Sequence, residues 1–536
     1  MLKFRICKWL DDDVFRELLR FAKYEGREDY CSVFSIDANK LELEEFEEIL
    51  EYVQNLGGQL DGASVARARA LLRDRREVVV ETSDGGFLIK SKRRLSDLLA
   101  DFKERGALYY SKKHGAFVVR PYAIIDVISR LASEGFNIVD RTGLISARLN
   151  PSLKFELTVD LRSYQEEALM KWIENSYRGV IALPTGSGKT VIGLAAIREL
   201  GVPTLIVVYT QDQVREWYDK IRKLTTIPLR QVGVFYAGDK RIAEVTISTY
   251  QSVYRNIRVF KDRFSLLIVD EAHHLPADKF RVIAHRIMAP YRLGLSATPY
   301  REDGRHEELF TLIGGVIYEK RLEELAAEGY IAPYTIHLVR VDLAKEEKER
   351  YLSLKRKYER LSRGLKVEDL VKRAQMGDPL AAEALRILSE MRQLIALSRS
   401  KMEKIREIFE QEMKRGSRVL VFTQYVGQAE ALGKLLGAPV LTGRDDDAKR
   451  RMIFDLFKRG RYGGLILTTI GDEGIDLPDA EVGIIASSTS SRRQLIQRLG
   501  RLLRPREGKS ARLYVVVVRG TPEDRAISKI LRTLDV

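Results

Sequence analysis

The sequence predicts an α/β protein in which two doubly wound parallel-sheet lobes follow one another along the chain. From about residue 160, short apolar runs alternate with helical patterns. The runs lack the half-polar alternation of an exposed sheet, and such runs are typical of parallel strands covered by helices on both faces. A charged segment of helical pattern at 344–396 divides the runs into two series, and each series predicts one lobe.

The first lobe is predicted over residues 151–330 and the second over residues 331–536. Strands of the first lobe are expected at 179–183, 204–208, 244–248, 266–270 and 292–296. Strands of the second lobe are expected at 418–422, 464–468, 482–487 and 512–518. Alternation of strands with helices predicts parallel order, because a parallel connection has to cross over the sheet.

Residues 344–396 are charged, helical in pattern and poor in strand signals. The segment is either a helical insertion in the second lobe or a solvated spacer. Its sustained apolar periodicity favours the insertion, because a spacer buries no face.

Two small α+β domains are predicted ahead of the lobes. The tract NLGGQLDGAS (55–64) combines glycines with polar turn formers and places a joint near residue 60. The first domain, 1–60, is acidic, with a strand-like run at 31–36 and a helical pattern at 41–53.

The second small domain is predicted over residues 61–150. A hairpin pattern with a Lys-Lys-His-Gly turn occupies 107–120. A helical pattern at 122–135 follows and ends at Gly135, a residue that commonly stops helices.

The chain has 536 residues and a formal net charge of +15. Residues 1–60 contain 8 Lys and Arg against 14 Asp and Glu, a balance of −6, so the rest of the chain carries +21. Such a surplus fits a polyanion partner, because Lys and Arg displace counterions from phosphates, and it fits a generic basic surface equally well.

Cysteine content and hydropathy set the expected surroundings. Only Cys7 and Cys31 occur, so neither a disulfide framework nor a cysteine zinc site is expected. No apolar run reaches the length of a transmembrane helix, and the N-terminus does not read as a secretory signal. We therefore expect a protein of the reducing cytoplasm with no membrane partner.

The strongest local motif is LPTGSGKT (183–190), which follows an apolar run and precedes a helical pattern. A strand, a tight loop and a helix form the setting of a phosphate-binding P-loop. Its glycines allow backbone N–H groups to surround phosphate oxygens. Lys189 is expected to reach the β- and γ-phosphates of ATP, and Thr190 to bind Mg²⁺. The nucleotide-binding residues expected in this loop are Thr185, Gly186, Ser187, Gly188, Lys189 and Thr190.

A second motif, DEAHH (270–274), follows the apolar run that ends at Asp270. Carboxylates at the carboxyl end of a parallel strand lie where ligands bind in open α/β sheets. Asp270 is expected to hold Mg²⁺, and Glu271 to polarise the attacking water. His273 and His274 are adjacent and point in different directions, so a coupling role for His273 is favoured over a metal site.

A third motif, QLIQRLGRLLRP (494–505), places Arg498, Arg501 and Arg504 at three-residue spacing. On a helix this spacing gives one broad basic face. The face is either solvated or provides positive charge to the γ-phosphate from the second lobe, which would couple ATP binding to closure of the lobes.

Together these motifs resemble superfamily 2 helicases and, specifically, the XPB family in its archaeal form. The resemblance spans about residues 105–520 and includes LRSYQEEAL, LPTGSGKT, DEAHH, SATPYREDGRHE, VFTQY, TTIGDEGIDLPDA and QRLGRLLR. It implies RecA-like lobes and an ATP- and Mg²⁺-dependent DNA helicase or duplex translocase. Such an enzyme opens DNA locally in nucleotide excision repair and in transcription initiation.

The resemblance also implies roles for single residues. At the nucleotide, Gln165 would recognise adenine with Arg162 nearby. From the second lobe, Gly474 and Asp476 would contact the nucleotide, and Arg501 and Arg504 would be arginine fingers. Ser296 and Thr298 would relay hydrolysis to DNA, and the trio Arg301, Glu302 and Asp303 would take part in opening it.

Larger segments have counterparts in the family as well. Residues 344–396 would be the helical thumb, and 107–148 resemble the family's damage-recognition domain. Archaeal members are associated with a partner nuclease. We expect a monomeric motor acting on duplex or forked DNA in a prokaryotic cell.

Two other functions are compatible with part of the sequence. A restriction-type or nucleosome-type translocase shares the P-loop, DEAHH and arginine motifs but not YREDGRHE (300–307). A non-catalytic nucleic-acid scaffold would have a degenerate P-loop, and the intact Lys189, Thr190, Asp270 and Glu271 argue against it.

Overall fold

The computed structural model describes residues 1–41, 43–300, 304–468, 480–487 and 511–532. The chain divides into two compact units. One unit comprises Met1–Ser152, Ile257–Ser265 and Ala284–Tyr291. The other comprises Leu153–Asn256, Leu266–Ile283 and Arg292–Val536. Within the described ranges, no helix combines the length and hydropathy needed to span a membrane.

The chain begins with an antiparallel sheet in the order β2-β3-β1-β4. Its strands are β1 (Leu2–Ile6), β2 (Lys23–Glu28), β3 (Cys31–Ile36) and β4 (Gln59–Leu60). Its helices are α1 (Asp12–Phe21), α2 (Leu43–Asn55) and α3 (Gly62–Arg75). One core joins sheet and helices, with Phe4 and Phe34 stacked at 5.3 Å and Phe46 fully buried. The α3 residue Leu72 belongs to the same core.

Cys7 and Cys31 form a disulfide, whereas the sequence predicted no disulfide framework. The antiparallel register of β1 and β3 pairs Ile6 with Ser32, so Cys7 and Cys31 are next along the ladder, with Cα atoms 4.0 Å apart. Composition did not indicate the bond because it depends on the register of two strands separated along the chain.

A mixed five-stranded sheet follows in the order β7-β8-β6-β5-β9. Its strands are β5 (Glu77–Thr82), β6 (Phe87–Ser91), β7 (Leu108–Ser111), β8 (Ala116–Val119) and β9 (Asn137–Asp140). Its helices are α4 (Ala100–Glu104) and α5 (Ile124–Ser133). The predicted hairpin is confirmed as the antiparallel pair β7 and β8. Gly135 follows α5 with a φ of 77°, the left-handed conformation that ends helices.

The first large sheet has eight strands in the order β13-β12-β14-β11-β15-β16-β10-β17. The strands are β10 (Arg178–Ala182), β11 (Thr204–Val208), β12 (Val232–Tyr236), β13 (Asp239–Lys240), β14 (Val245–Thr249), β15 (Leu266–Asp270), β16 (Tyr291–Ser296) and β17 (Val316–Glu319). The helices along this part of the chain are α6 (Ser163–Glu174), α7 (Lys189–Leu200), α8 (Gln211–Leu224), α9 (Tyr250–Arg255), α10 (Ile257–Phe260), α11 (Arg281–Arg286), α12 (His306–Ile313) and α13 (Leu322–Ala327).

The strand order of this sheet positions the candidate site. The central strands β10, β11, β14 and β16 are buried along their whole length, as predicted for a covered parallel sheet. In the sheet β16 lies between β15 and β10. The P-loop, the DEAHH motif and Ser296 follow or end these three strands and therefore share one edge of the sheet.

The second large sheet has six parallel strands in the order β18-β23-β22-β19-β21-β20. They are β18 (Tyr334–Val341), β19 (Val419–Phe422), β20 (Val440–Leu441), β21 (Gly464–Leu467), β22 (Val482–Ile485) and β23 (Ala511–Val518). The helices are α14 (Lys345–Ser362), α15 (Val367–Gln375), α16 (Pro379–Ala396), α17 (Arg399–Lys414), α18 (Val426–Leu436), α19 (Asp447–Lys458) and α20 (Pro522–Arg532). The predicted fold class, two tandem doubly wound α/β lobes, is confirmed.

Residues 344–396 are occupied by α14, α15 and α16, which pack on one another. Leu370 of α15 and Ala384 of α16 are buried in a shared cluster, against which Tyr358 of α14 packs. A second cluster joins Tyr351 of α14 to Val518 at the end of β23. A solvated spacer would not bury these side chains.

Candidate nucleotide-binding site

The P-loop connects β10 to α7 through two left-handed glycines. Gly186 has a φ of 88° and Gly188, the N-cap of α7, a φ of 83°, and residues with a Cβ rarely adopt this conformation. A Cβ on Gly188 would also lie 2.5 Å from Nε2 of Gln165. The loop therefore leads into the N-terminus of a 12-residue helix, whose free N–H groups and dipole favour an anion.

Helix α6 holds the P-loop through hydrogen bonds to the Ser187 carbonyl. The Tyr164 hydroxyl donates to the carbonyl of Ser187, and Nε2 of Gln165 donates to the same oxygen at 3.1 Å. Oε1 of Gln165 accepts from the backbone N–H of Arg162 at 3.0 Å. The Arg162 guanidinium in turn donates to the carbonyl of Tyr330 at 3.0 Å. Gln165 and Arg162, predicted as adenine contacts, are thus adjacent and tied to the P-loop.

Lys189 is held inside the loop by backbone carbonyls. Its ammonium donates to the carbonyls of Leu183 at 2.9 Å and Pro184 at 3.2 Å. Burial lowers the pKa of Lys189, and the carboxylates of Glu271 and Asp270 oppose this shift. A phosphate would offer this ammonium a charged acceptor in place of two neutral ones.

Two hydroxyls of the loop differ in their hydrogen-bond partners. The Thr185 hydroxyl oxygen is buried and has no hydrogen-bond partner among the residues that the structure describes. The Thr190 hydroxyl accepts a hydrogen bond from the Lys220 ammonium at 3.0 Å. A buried hydroxyl without a partner is costly, and a bound phosphate oxygen would satisfy it.

The predicted acid pair lies at the carboxyl end of β15. Oδ2 of Asp270 accepts from the indole N–H of Trp217 at 2.8 Å, and Oδ1 accepts from the backbone N–H of Glu271 at 2.9 Å. Burial raises the pKa of Asp270, while the Trp217 hydrogen bond and the charge of Lys189 partly offset the shift. A bound divalent cation would stabilise the ionised form of this carboxyl.

Glu271 turns the chain out of β15 with a φ of 47°, a left-handed conformation that costs a residue with a side chain about 1–2 kcal/mol. The turn leads into a short helical segment that contains His273. Oε2 of Glu271 lies 3.4 Å from Nδ1 of this fully buried histidine. The strained turn thus places the proposed water-polarising carboxylate beside His273.

A chain of contacts leads from this acid pair to the end of β16. Nδ1 of His273 lies 3.2 Å from Oγ of Ser296, and the backbone N–H of Thr298 donates to the same oxygen at 3.2 Å. The Thr298 hydroxyl is buried without a hydrogen-bond partner in the described part of the chain. The structure therefore brings together His273, Ser296 and Thr298, the three residues predicted to couple hydrolysis to DNA.

His274 has different neighbours from His273. Its ring stacks on Tyr209 with centroids 3.9 Å apart and an interplanar angle of 9°. Across the described ranges, no group of three or more His, Cys, Asp or Glu is placed to hold a metal ion. His273 therefore contacts Ser296, whereas His274 stacks on Tyr209.

Some predicted site residues lie outside the described residues. They are Arg301, Glu302, Asp303, Gly474, Asp476, Arg498, Arg501 and Arg504. Their proposed roles rest on the sequence.

Three residues of the site were not predicted as such: Tyr164, Trp217 and Lys220. Tyr164 directly precedes Gln165, and Trp217 and Lys220 lie one helical turn apart on α8. Helical periodicity indicates that Trp217 faces inward, but only the fold shows which carboxylate its indole meets.

These residues fit a magnesium nucleotide. The loop has the backbone for an anion, the Thr185 hydroxyl is buried without a partner, and Thr190 and Asp270 offer the oxygen ligands that Mg²⁺ prefers.

Comparison with known proteins decides the family. The model "ERCC3/RAD25/XPB C-terminal helicase" matches residues 374–529, and the model "Type III restriction enzyme, res subunit" matches 158–301. The chain is 39% identical over 385 residues to the "DNA 3'-5' translocase XPB2" of Sulfurisphaera tokodaii, which covers 70% of this chain and 86% of that protein. This chain belongs to the XPB family of DNA helicases.

Two other members of the XPB family, each named "DNA 3'-5' helicase XPB", are also similar to this chain. The protein of Mycobacterium tuberculosis is 34% identical, covering 75% of this chain and 68% of its own length. That of Kineococcus radiotolerans is 32% identical, covering 85% of this chain and 78% of its own length. Membership in the XPB family confirms the resemblance drawn from the motifs and makes the chain a DNA-dependent ATPase.

Proposed function

We propose that this XPB-family motor hydrolyses ATP at the site formed after β10, β15 and β16, and that it uses the energy to open or track along duplex DNA. The observation that carries the proposal is the series of contacts from Asp270 through Glu271, His273 and Ser296 to Thr298, with the Lys189 ammonium in the electrostatic field of both carboxylates. The names of the relatives support a 3'-5' polarity.

In this proposal the P-loop binds the phosphates. Lys189 exchanges the carbonyls of Leu183 and Pro184 for β- and γ-phosphate oxygens, and Thr185 donates its buried hydroxyl. Thr190 and Asp270 would hold Mg²⁺, which neutralises charge on the phosphates when bound.

Glu271 is proposed to polarise the water that attacks the γ-phosphate. A carboxylate can orient a water and accept its proton only within hydrogen-bond reach, so its position matters as much as its pKa. The left-handed backbone and the contact with His273 fix that position. A change at Glu271 on hydrolysis would then pass through His273 to Ser296 and Thr298.

The second lobe is proposed to complete the site. Gly474 and Asp476 would contact the nucleotide, and Arg501 and Arg504 would stabilise charge on the γ-phosphate. Arginine contributed in this way makes hydrolysis depend on closure of the two lobes.

The rest of the chain is proposed to serve DNA repair. Residues 61–150 would contact damaged DNA, residues 344–396 would act as a thumb, and Arg301, Glu302 and Asp303 would help to separate the strands. We propose action in nucleotide excision repair and in transcription initiation, by a monomeric, DNA-associated motor in a prokaryotic cytoplasm, together with a partner nuclease.

The test is ATPase activity with duplex, forked and single-stranded DNA and with RNA, next to strand separation on the same substrates. Lys189→Ala is expected to lose hydrolysis at least a hundredfold and to keep DNA binding, because it removes a phosphate contact and no DNA contact. Lys223→Ala, an exposed lysine of the same lobe, is the control. Near-normal turnover by Lys189→Ala would contradict the assignment of the site.

The same assay tests the trio that follows Tyr300. Alanine at Arg301, Glu302 and Asp303 together is expected to leave most DNA-stimulated ATPase and to impair strand separation. Unchanged strand separation would show that the trio has no part in opening DNA.

A further inference from the structure

Three residues of helix α8 lie near Thr190 and Asp270, the two proposed magnesium ligands. None of the three belongs to the P-loop or to DEAHH. Trp217 and Lys220 are three residues apart and Glu216 precedes Lys220 by four, so all three lie on one side of the helix. The side chains of Glu216 and Lys220 form an ion pair in which each is about one-third exposed.

Trp217 fixes the carboxylate of Asp270. The indole is 1% exposed, and its N–H donates to Oδ2 of Asp270 at 2.8 Å. The backbone N–H of Glu271 donates to Oδ1 of the same carboxylate. The ring is wedged against α7, where a Cβ on Gly193 would come within 2.6 Å of Cη2. With the ring held and both oxygens engaged, one rotamer of Asp270 is selected.

Lys220 holds the other ligand. Its ammonium donates to Oγ1 of Thr190 at 3.0 Å and also to Glu216. An ammonium only donates, so it takes one of the two lone pairs of the hydroxyl oxygen, the atom through which Thr190 would bind a metal. Lys220 and a divalent cation would therefore crowd the same oxygen, and their like charges repel each other.

The charges of Lys220 and Glu216 act on Lys189 and Asp270. The pKa of Lys189 is lowered chiefly by burial, and the charge of Lys220 adds to that lowering. The pKa of Asp270 is raised chiefly by burial, and Glu216 adds to the rise. Both members of the pair thus lie within electrostatic range of the phosphate and metal positions.

We propose that α8 sets the Mg²⁺ requirement of nucleotide binding through two positioning residues of opposite effect. Trp217 orients Asp270 toward the cation and strengthens Mg²⁺ binding. Lys220 donates to the Thr190 hydroxyl and weakens Mg²⁺ binding. When the hydroxyl binds the cation instead, the Lys220 ammonium keeps its ion pair with Glu216. This inference rests on the proposed nucleotide site.

The experiment is equilibrium binding of a fluorescent ATP analogue, mant-ATP, to the full chain as Mg²⁺ is increased, without DNA. Lys220→Met is expected to lower the half-saturating Mg²⁺ concentration by roughly three- to tenfold, because it removes a like charge and a competing donor. Trp217→Phe keeps an aromatic ring and is expected to raise it by about tenfold or more. Lys223→Met, on the exposed side of α8, is the matched control and is expected to behave like the parent chain.

Opposite shifts support the proposal, since a general loosening of α8 would move both variants in the same direction. Parent-like Mg²⁺ dependence of Lys220→Met, or a shift toward higher Mg²⁺, overturns it. Lys220 is part-exposed, so this arm decides the matter even if Trp217→Phe fails to fold. If the parent chain itself does not bind mant-ATP at any Mg²⁺ concentration, the proposed nucleotide site is wrong rather than the role of α8.

Discussion

Gly188 is constrained both by its backbone conformation and by the space around it. Its backbone is left-handed, with a φ of 83°, and the Gln165 amide occupies the space that a Cβ would need. The Gln165 amide accepts a hydrogen bond from the Arg162 N–H and donates one to the Ser187 carbonyl. Displacing this side chain would therefore break hydrogen bonds that hold the P-loop. Backbone strain and side-chain packing therefore act together at this position.

We predict that Gly188→Ala weakens mant-ATP binding by at least tenfold, since about 1–2 kcal/mol of left-handed strain adds to the displacement of Gln165. Gly315→Ala is the matched control. Gly315 has a φ of 81° and no atom within 4 Å of its Cβ position, so it has the strain without the collision. Equal affinity in the two variants would show that packing against Gln165 is unimportant.

At the scale of elements, a buried carboxylate connects α17 to β23 in the second lobe. The Glu412 side chain is 1% exposed and accepts hydrogen bonds from Arg512 at 2.7 Å and from the Tyr514 hydroxyl at 2.8 Å. Burial alone would raise the pKa of Glu412, but the hydrogen bonds from Arg512 and Tyr514 outweigh burial and lower it. The ionised form is therefore the one that stabilises the fold.

We predict that Glu412→Gln destabilises the second lobe by about 3 kcal/mol at neutral pH, because the Arg512–Glu412 pair loses its buried negative charge. A lowered pKa in the folded state gives stability above the unfolded-state pKa, and that stability is lost as pH falls toward the folded-state pKa. The difference between parent and variant should therefore shrink as pH falls from 7 toward 3. Hydrogen exchange of the backbone amides of α17 and β23 in the two proteins measures this difference in stability.

The control for this prediction is Glu410→Gln on the same helix. The side chain of Glu410 is 59% exposed and lies 3.9 Å from Arg406, so the change is expected to cost less than about 1 kcal/mol. A pH-independent difference for Glu412→Gln would mean that its charge does not contribute.

At the scale of the whole molecule, charge is separated along the chain. Residues 1–60 carry −6 and the remainder +21, giving the net +15. Since long-range attraction to phosphates depends on total positive charge, the basic remainder suits association with DNA more than with an uncharged partner.

We predict that affinity for a labelled duplex falls by on the order of a hundredfold or more between 50 and 200 mM KCl, as expected for four or more phosphate contacts. Fluorescence anisotropy at several salt concentrations gives the slope of log K against log salt. A nearly flat slope would contradict a binding mode based on phosphates.

Prediction from sequence worked where the signal is local. The strands 204–208 and 266–270 are found at the predicted residues, because a strand buried on both faces appears in the sequence as a continuous run of apolar residues. The strand β18 was not predicted, since its alternating exposure gives no continuous apolar run. The Cys7–Cys31 bond was missed because it depends on strand register.

Sequence alone determined the two lobes and the family, and it singled out Lys189, Thr190, Asp270 and Glu271 as candidate site residues, because motif spacing next to a strand is a property of neighbouring residues. Only the tertiary structure decided that Trp217 meets Asp270 and that Lys220 meets Thr190. These partners are 53 and 30 residues apart in sequence, and the contacts arise from the order in which parallel strands and their helices pack. No local pattern contains that order.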